Sequence, residues 1–172
     1  MDFWFKSFVL VMVSIRQFVE SDRDRIWEII QPVIVGGDTY IFAPDSSRDK
    51  MFDYWFSEDK LTFVALEDDV IVGTFFIKSN QPDLGSHIAN AGYMVASEAR
   101  SKGIGKLMCE WSLMEAKRLR YEGMQFNFVV QTNVSAVRLW ESCGFSIVGE
   151  VPRAFRHSRL GLVNVYVMYR AL

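Results

Sequence analysis

The sequence predicts an α/β fold in which a mixed, mostly antiparallel sheet of about seven strands is flanked by about four helices. Three observations predict it. Segments with strand alternation and segments with helical spacing follow one another in the order β-α-α-β-β-β-α-β-α-β-β. Two central strands are separated only by Asp68-Asp69, which suits a tight hairpin. The stretch "MQFNFVVQ" is a short apolar run of the kind buried on both faces. The 172 residues are 50% hydrophobic, with five Trp, fourteen Phe and six Tyr, enough for one domain with a substantial core.

Taken in order, "VMVSIRQFV" alternates apolar and polar residues, as a half-buried strand does. "SDRDRIWEII" follows as a helix with Ser21 at its N-cap and acids in the first turn. Pro32 and "VGGDTY" end that helix, with a broken continuation through Val33–Val35 as the alternative. "SSRDKMFDYWF" is a second, short helix. "LTFVALE" and "VIVGTFFIKS" form the hairpin, and "NQPDLGSH" is a loop marked by Pro82 and Gly85. "IANAGYMV" is the next strand, and a helix over about Gly103–Tyr121 follows, terminated by Gly123. After the apolar strand, "NVSAVRLWES" is a helix capped by Asn133, and "FSIVGEV" and "LVNVYVMY" close the chain as strands.

Composition narrows the function. Net charge is −2, so no global basic field recruits nucleic acid, although Arg100, Lys102 and Lys106 form a local cluster suited to a phosphorylated ligand. Cys109 and Cys143 show no C-x-x-C or Cys/His spacing, which predicts no metal and two reduced thiols in a cytosolic protein. The opening "MDFWFKSFVLVMV" is far shorter than the ~20 residues that span a bilayer and lacks a small-residue cleavage site, so no membrane partner is expected. It is a first strand preceded by an extra leading segment, 1–11, with translation from Met12 as the alternative. No repeat or long linker interrupts the chain, and 1–172 is expected to be a single domain.

"ARSKGIGKLM" places two glycines between basic residues immediately before a helix. Such a stretch leaves unpaired backbone N–H groups facing whatever precedes the helix, most often an anion. A phosphate loop needs G-x-x-x-x-G-K-[ST], but Arg100 stands at the first glycine and Leu107 at the hydroxyl, leaving no ligand for Mg²⁺. A dinucleotide fingerprint needs a third glycine where Met108 sits, and it belongs after the first strand. What fits is Arg100-Ser-Lys-Gly103-Ile-Gly105, which resembles the R/Q-x-x-G-x-G/A motif of the GCN5-related N-acetyltransferase (GNAT) superfamily. About thirty residues on, "NVSAVRLWESCGF" resembles that family's N-x-x-A-x-x-L-Y-x-x-x-G-F, matched at Asn133, Ala136, Leu139, Gly144 and Phe145. Two such motifs in order, with an apolar strand between them, outweigh the plainer reading of ordinary turn glycines at a helix start.

The resemblance implies an acyl-CoA N-acyltransferase fold and an acetyl-CoA-dependent N-acetyltransferase without a metal. It also implies the following roles. Backbone amides over Arg100, Ser101, Lys102, Gly103, Ile104, Gly105 and Lys106 hold the coenzyme A diphosphate. Asn133 bonds the pantetheine arm, Ala136 leaves room for it, and Trp140 lies alongside. N–H groups near Met94 and Val95 polarise the thioester carbonyl beside a bulge that splays this strand from the next. Family members often dimerise, but nothing in the sequence identifies an interface.

Two departures stand out. Trp140 occupies the place of a Tyr that protonates the departing thiolate, and an indole N–H is not a usable acid; Tyr93, Tyr166 and above all Tyr169 are replacement candidates. "IANAGYMV" lacks the Glu that relatives carry there as a base; His87 just ahead of it, or a water relay, are the alternatives. On the acceptor side, "SHIANAGYMV" and "QFNFVVQTN" resemble fungal proline-analogue N-acetyltransferases, which implies that Asn90 and Asn127 line the acceptor pocket unless they bond each other. "GDTY" adds Thr39 and Tyr40, and "RAFRHSRLGL" places Arg153, Arg156, His157 and Arg159 near a hairpin tip where one could meet an anionic acceptor. The expected substrate is a small amine, an amino or imino acid. A protein N-terminus, an antibiotic amine, or a weakly active acyl-CoA-binding module are the alternatives.

Overall fold

The computed structural model describes residues 13–172; the leading segment 1–11 and the choice between Met1 and Met12 lie outside them. Seven strands form one sheet in the order β1-β2-β3-β4-β5-β7-β6. They are β1 (Val13–Gln17), β2 (Leu61–Glu67), β3 (Val70–Ser79), β4 (Ile88–Val95), β5 (Gly123–Val130), β6 (Ser146–His157) and β7 (Gly161–Ala171). Four helices accompany them: α1 (Arg23–Gly36), α2 (Arg48–Trp55), α3 (Ile104–Arg118) and α4 (Val134–Ser142). Every neighbouring pair is antiparallel except β4–β5.

Strand alternation on β3 divides the core. Phe75 meets Trp111 of α3 and Tyr93 of β4, both at 5.7 Å between ring centroids, whereas Phe76 meets Trp55 of α2 at 5.0 Å. So α2 and α3 cover opposite faces. Trp55 is fully buried, and its indole N–H donates to Thr74 Oγ1 at 3.1 Å, so the ring enters the core without an orphaned donor.

Local signals held where the chain chemistry is self-contained. Asp68 and Asp69 turn the β2–β3 hairpin with φ of 49° and 63°, the double left-handed pattern of a type I′ turn. Other expectations are corrected by packing. α1 runs through Pro32 and stops at Gly37, whose φ of 59° caps it. Pro32 lies on the exposed side, while Ile29, Ile30 and Ile34 are buried on either side of it; that anchorage offsets a proline cost of about 3 kcal/mol. Ser21 does not cap α1, because a 3-10 turn over Glu20–Asp22 shifts the start; Asp22 precedes the helix and its carboxylate is taken by Arg16 at 2.7 and 2.8 Å. Gly123 does not end α3. Arg120 takes the left-handed turn (φ 66°), and Gly123 opens β5, where a side chain would strike the Tyr169 hydroxyl.

The sheet opens at its middle. β4 and β5 pair only at Ile88–Gly123 and Ala89–Met124 and then diverge. The expected bulge is absent from β4, whose register with β3 is unbroken from Gly73–Val95 to Ser79–Ala89. It lies on β5, where one extra residue separates Phe126–Met168 from Val129–Tyr166 and bends the strand away. β5 is therefore not buried on both faces throughout: Asn127 and Phe128 are exposed at the opening.

Candidate functional site

The loop before α3 leaves its donors bare. Ser101 and Gly103 have φ of 63° and 85°, and the first bond of the helix runs from Leu107 N–H to Gly103 C=O at 3.1 Å. No side chain caps this end, so the amides of Ile104, Gly105 and Lys106 have no partner within the helix. The two glycines serve different ends. A Cβ on Gly103 would stand in open space, whereas one on Gly105 would come within 3.0 Å of Leu139 Cδ2; the first relieves backbone strain and the second lets α4 approach α3.

These amides face a cleft of about 1180 Å³. Arg100, Ser101 and Gly103 line it from the loop, Ile104, Gly105 and Lys106 from the first turn of α3, Met94 and Val95 from β4, and Asn133, Ala136 and Trp140 from α4 and its N-cap. Lys102 does not: its ammonium lies 3.0 Å from Glu67 Oε2, turned away from the cleft. Asn133 caps α4 through a bond from Ala136 N–H to its Oδ1 at 3.2 Å.

Strand pairing separates the two amides on β4. Ala96 N–H donates to Val72 C=O at 2.9 Å, and alternate residues address the same neighbour, so the Met94 amide is spent on β3. Only the Val95 amide faces the gap toward β5, so Met94 is corrected as an oxyanion donor. Tyr93 C=O, on the same open edge, accepts the Tyr40 hydroxyl at 3.0 Å. Burial pushes the Tyr40 phenol far above its ordinary pKa, keeping it a neutral donor.

A second cavity of about 400 Å³ lies on the α2 side of the opening, walled by Tyr40, Tyr54, Phe76, Phe126 and Phe128. Asn90, Asn127, Thr39 and Tyr40 all line it. The two asparagines do not bond each other. Asn90 Nδ2 donates to Gln125 C=O at 2.8 Å, and Asn127 Nδ2 donates to Asn80 Oδ1 at 2.6 Å. Asn90 Oδ1 keeps no protein partner among the described residues. The two cavities share Thr39, Tyr93, Asn133, Ala136 and Trp140, so they meet at the open end of β4.

None of the tyrosines expected to replace the family's acid is placed for it. Tyr169 lines neither cavity, its hydroxyl packed against Gly123. Tyr166 also lies outside both, accepting from Gln131 Nε2 at 2.7 Å. The Tyr93 hydroxyl is 2.6 Å from Ser112 Oγ inside the core, and burial raises its pKa well above the ordinary phenol value. His87 is exposed and outside both cavities. Sequence reasoning missed Asp38, the one carboxylate that lines the larger cleft among the described residues. Thr39 Oγ1 donates to Asp38 Oδ1 at 3.0 Å and accepts from Asn133 Nδ2 at 3.4 Å, joining Asp38 to the junction of the cavities. "GDTY" carried this signal, because an acid beside a pocket-facing threonine is a ready relay.

Among the described residues, no cluster of three His, Cys, Asp or Glu gathers to hold a metal, and no helix is long and apolar enough to cross a membrane. The model of the acetyltransferase (GNAT) family matches residues 24–145. The N-acetyltransferase aca1 of Schizosaccharomyces pombe is 30% identical over 148 residues, covering 76% of this chain and 71% of that protein. A GCN5-related N-acetyltransferase from Kribbella flavida superposes with a TM-score of 0.88 at 34% identity, over 93% of this chain and 98% of that one. The yncA acetyltransferase of Salmonella typhimurium, solved with its cofactor acetyl-CoA, shares the fold at a TM-score of 0.81 and 18% identity, over 94% of each chain.

Proposed function

The chain belongs to the acetyltransferase (GNAT) family, and on that premise we propose that it moves the acetyl group of acetyl-CoA onto the nitrogen of a small amino or imino acid while both are bound. The observation that carries the reading is the meeting of two cavities at Thr39 and Trp140, beside the unengaged Val95 amide. The larger cleft suits acetyl-CoA: bare amides at the start of α3 receive the diphosphate, with Arg100 and Lys106 at its rim. The smaller cavity suits the acceptor, whose apolar part rests among the aromatic walls and whose N–H meets Asn90 Oδ1.

In the reaction, the neutral amine attacks the thioester carbonyl. The C–N bond forms, negative charge gathers on the carbonyl oxygen against Val95 N–H, and the C–S bond then breaks. The amine's surplus proton passes to Thr39 Oγ1 as Thr39 hands its own to Asp38, so Asp38 is the base and Thr39 the relay. Trp140 has no acidic proton, and a thiol with an ordinary pKa of about 8.5 leaves as thiolate without a dedicated donor. Positioning in the two cavities supplies the larger share, up to about 7–11 kcal/mol in favourable cases.

The test is thiol release from acetyl-CoA across amino acids, imino acids and polyamines, followed by Asn90→Ala on the best acceptor. The variant is expected to raise acceptor KM about tenfold while leaving acetyl-CoA KM unchanged. Equal changes in both constants would remove Asn90 from the acceptor site.

A further inference from the structure

The turn between β6 and β7 reaches across the molecule. Ser158 N–H donates to Gly37 C=O at 3.0 Å, and Ser158 Oγ donates to Gly36 C=O at 2.9 Å, pinning the turn to the end of α1. The neighbours of Ser158 on both sides, His157 and Arg159, thereby come to line the larger cleft together with Leu160. His157 is only 8% exposed. Its Nδ1 accepts the amides of Arg159 at 3.1 Å and Leu160 at 3.4 Å, which assigns the ring proton to Nε2. That Nε2–H has no protein acceptor among the described residues. The ring is mostly buried, yet Nε2 is not among the fully buried unpartnered atoms. This donor is open to solvent and free to meet an acceptor, and His157 borders an open cleft. Arg159 brings a guanidinium to the same turn and forms no ion pair among the described residues. The remaining charged group on the facing segment is Asp38, one residue beyond Gly37, and its Oδ1 is engaged by Thr39.

We infer that His157 Nε2–H and the Arg159 guanidinium form a carboxylate subsite in the larger cleft, which holds the acid group of an acceptor whose apolar part rests in the smaller cavity and whose amine lies at Thr39, where the two cavities meet. The inference rests on the proposed acetyl transfer to an amino or imino acid and names the groups that hold its carboxylate. A rigid N–H donor beside a cation suits a planar anion, and Asp38, bonded to Thr39 on the segment that the turn is pinned to, suits the amine end. This assignment also accounts for the bonds from Ser158 to α1. They fix the turn in place, so His157 is positioned by backbone contacts rather than by its ligand.

The experiment reads binding without turnover. The protein loaded with coenzyme A is titrated with N-acetylglycine and, separately, with its carboxamide, while the ¹⁵N signal of His157 is followed. N-acetylglycine is expected to shift the Nε2 resonance and bind about tenfold more tightly than the carboxamide. His157→Asn keeps an acceptor for the turn amides but leaves no N–H at the position of Nε2, and is expected to abolish that preference. His157→Gln, which restores an N–H near Nε2, is expected to recover part of it. Equal binding of the two probes by the wild-type protein overturns the subsite, as does a failure of N-acetylglycine to perturb His157 at millimolar concentration. A His157→Asn effect on coenzyme A affinity instead of on the probe also overturns it, since the anion would then be a cofactor phosphate. Thiol release run in parallel separates the two claims: an enzyme that acetylates amino acids while both probes bind equally keeps the reaction and loses the subsite.

Discussion

Strands β1 to β4 and strands β5, β7 and β6 share one sheet but are stabilised differently. β2 and β3 bury nearly every residue between α1 and α2 on one face and α3 on the other, around Trp55, Phe75 and Phe76. β6 is exposed along most of its length, and the separate cluster beneath it consists of Val130, Phe155 and Val165. The two halves are joined across β4 and β5 by only two residue pairs. Burial scales the favourable energy, so the exposed β6 contributes less than β2 and β3, while Met124, Phe126 and Met168 tie β5 and β7 into the common core. The cavities lie along the seam because that is where backbone groups are left unpaired.

The comparison can be broken most directly by truncating one large side chain in each half. Trp55→Ala removes a fully buried ring and its bond to Thr74, and is expected to cost about 3–5 kcal/mol in urea denaturation. Phe155→Ala is expected to cost less, about 1–3 kcal/mol, because its cluster has fewer neighbours to leave a rigid cavity. Equal losses would show that the halves are equally packed. At the seam, Asp38→Asn removes a charge but keeps an acceptor for Thr39. It is expected to lower kcat about 10²-fold with little change in Tm or in acetyl-CoA KM. An unchanged kcat would leave proton removal to solvent.

The smallest effect sharpens the β1–β4 side. Arg16 bonds the Asp22 carboxylate twice, and Val19 N–H bonds it again, which holds its pKa below the ordinary carboxylate value. A depressed folded pKa gives stability that is fully present above the unfolded value of about 3.9 and is lost as pH falls toward the folded one. Asp22→Asn is therefore expected to cost about 1–2 kcal/mol at pH 7 and to flatten the stability profile below about pH 4. Parallel acid profiles for the two proteins would refute that assignment.

Several features were legible in the residues themselves. The left-handed Asp68-Asp69 turn, the Asn133 cap and the glycine loop before α3 depend on chain neighbours within a few positions. The motif spacing from Arg100 to Phe145 was enough to expect both the family and acetyl-CoA as co-substrate. Asn90, Asn127, Thr39 and Tyr40 could be gathered on one cavity, although the asparagine partners, Gln125 and Asn80, could not be named. The roles given to Met94, Lys102 and Tyr169 went astray because each depends on which way a backbone or side chain turns relative to a distant neighbour.

The order of elements, the local turns and the anion-receptive start of α3 follow from the sequence alone, since φ preference and periodicity act over a handful of residues. Tertiary structure decided the rest. Buried isoleucines carried α1 through Pro32, and the extra residue of β5 opened the sheet. Pairing with β3 consumed one amide of β4 and left the next free. Two bonds from Ser158 to Gly36 and Gly37, more than 100 residues earlier in the chain, brought His157 and Arg159 to the cleft. Such outcomes come from competition among distant surfaces for the same backbone donors and the same buried volume, and no short stretch of residues contains both competitors.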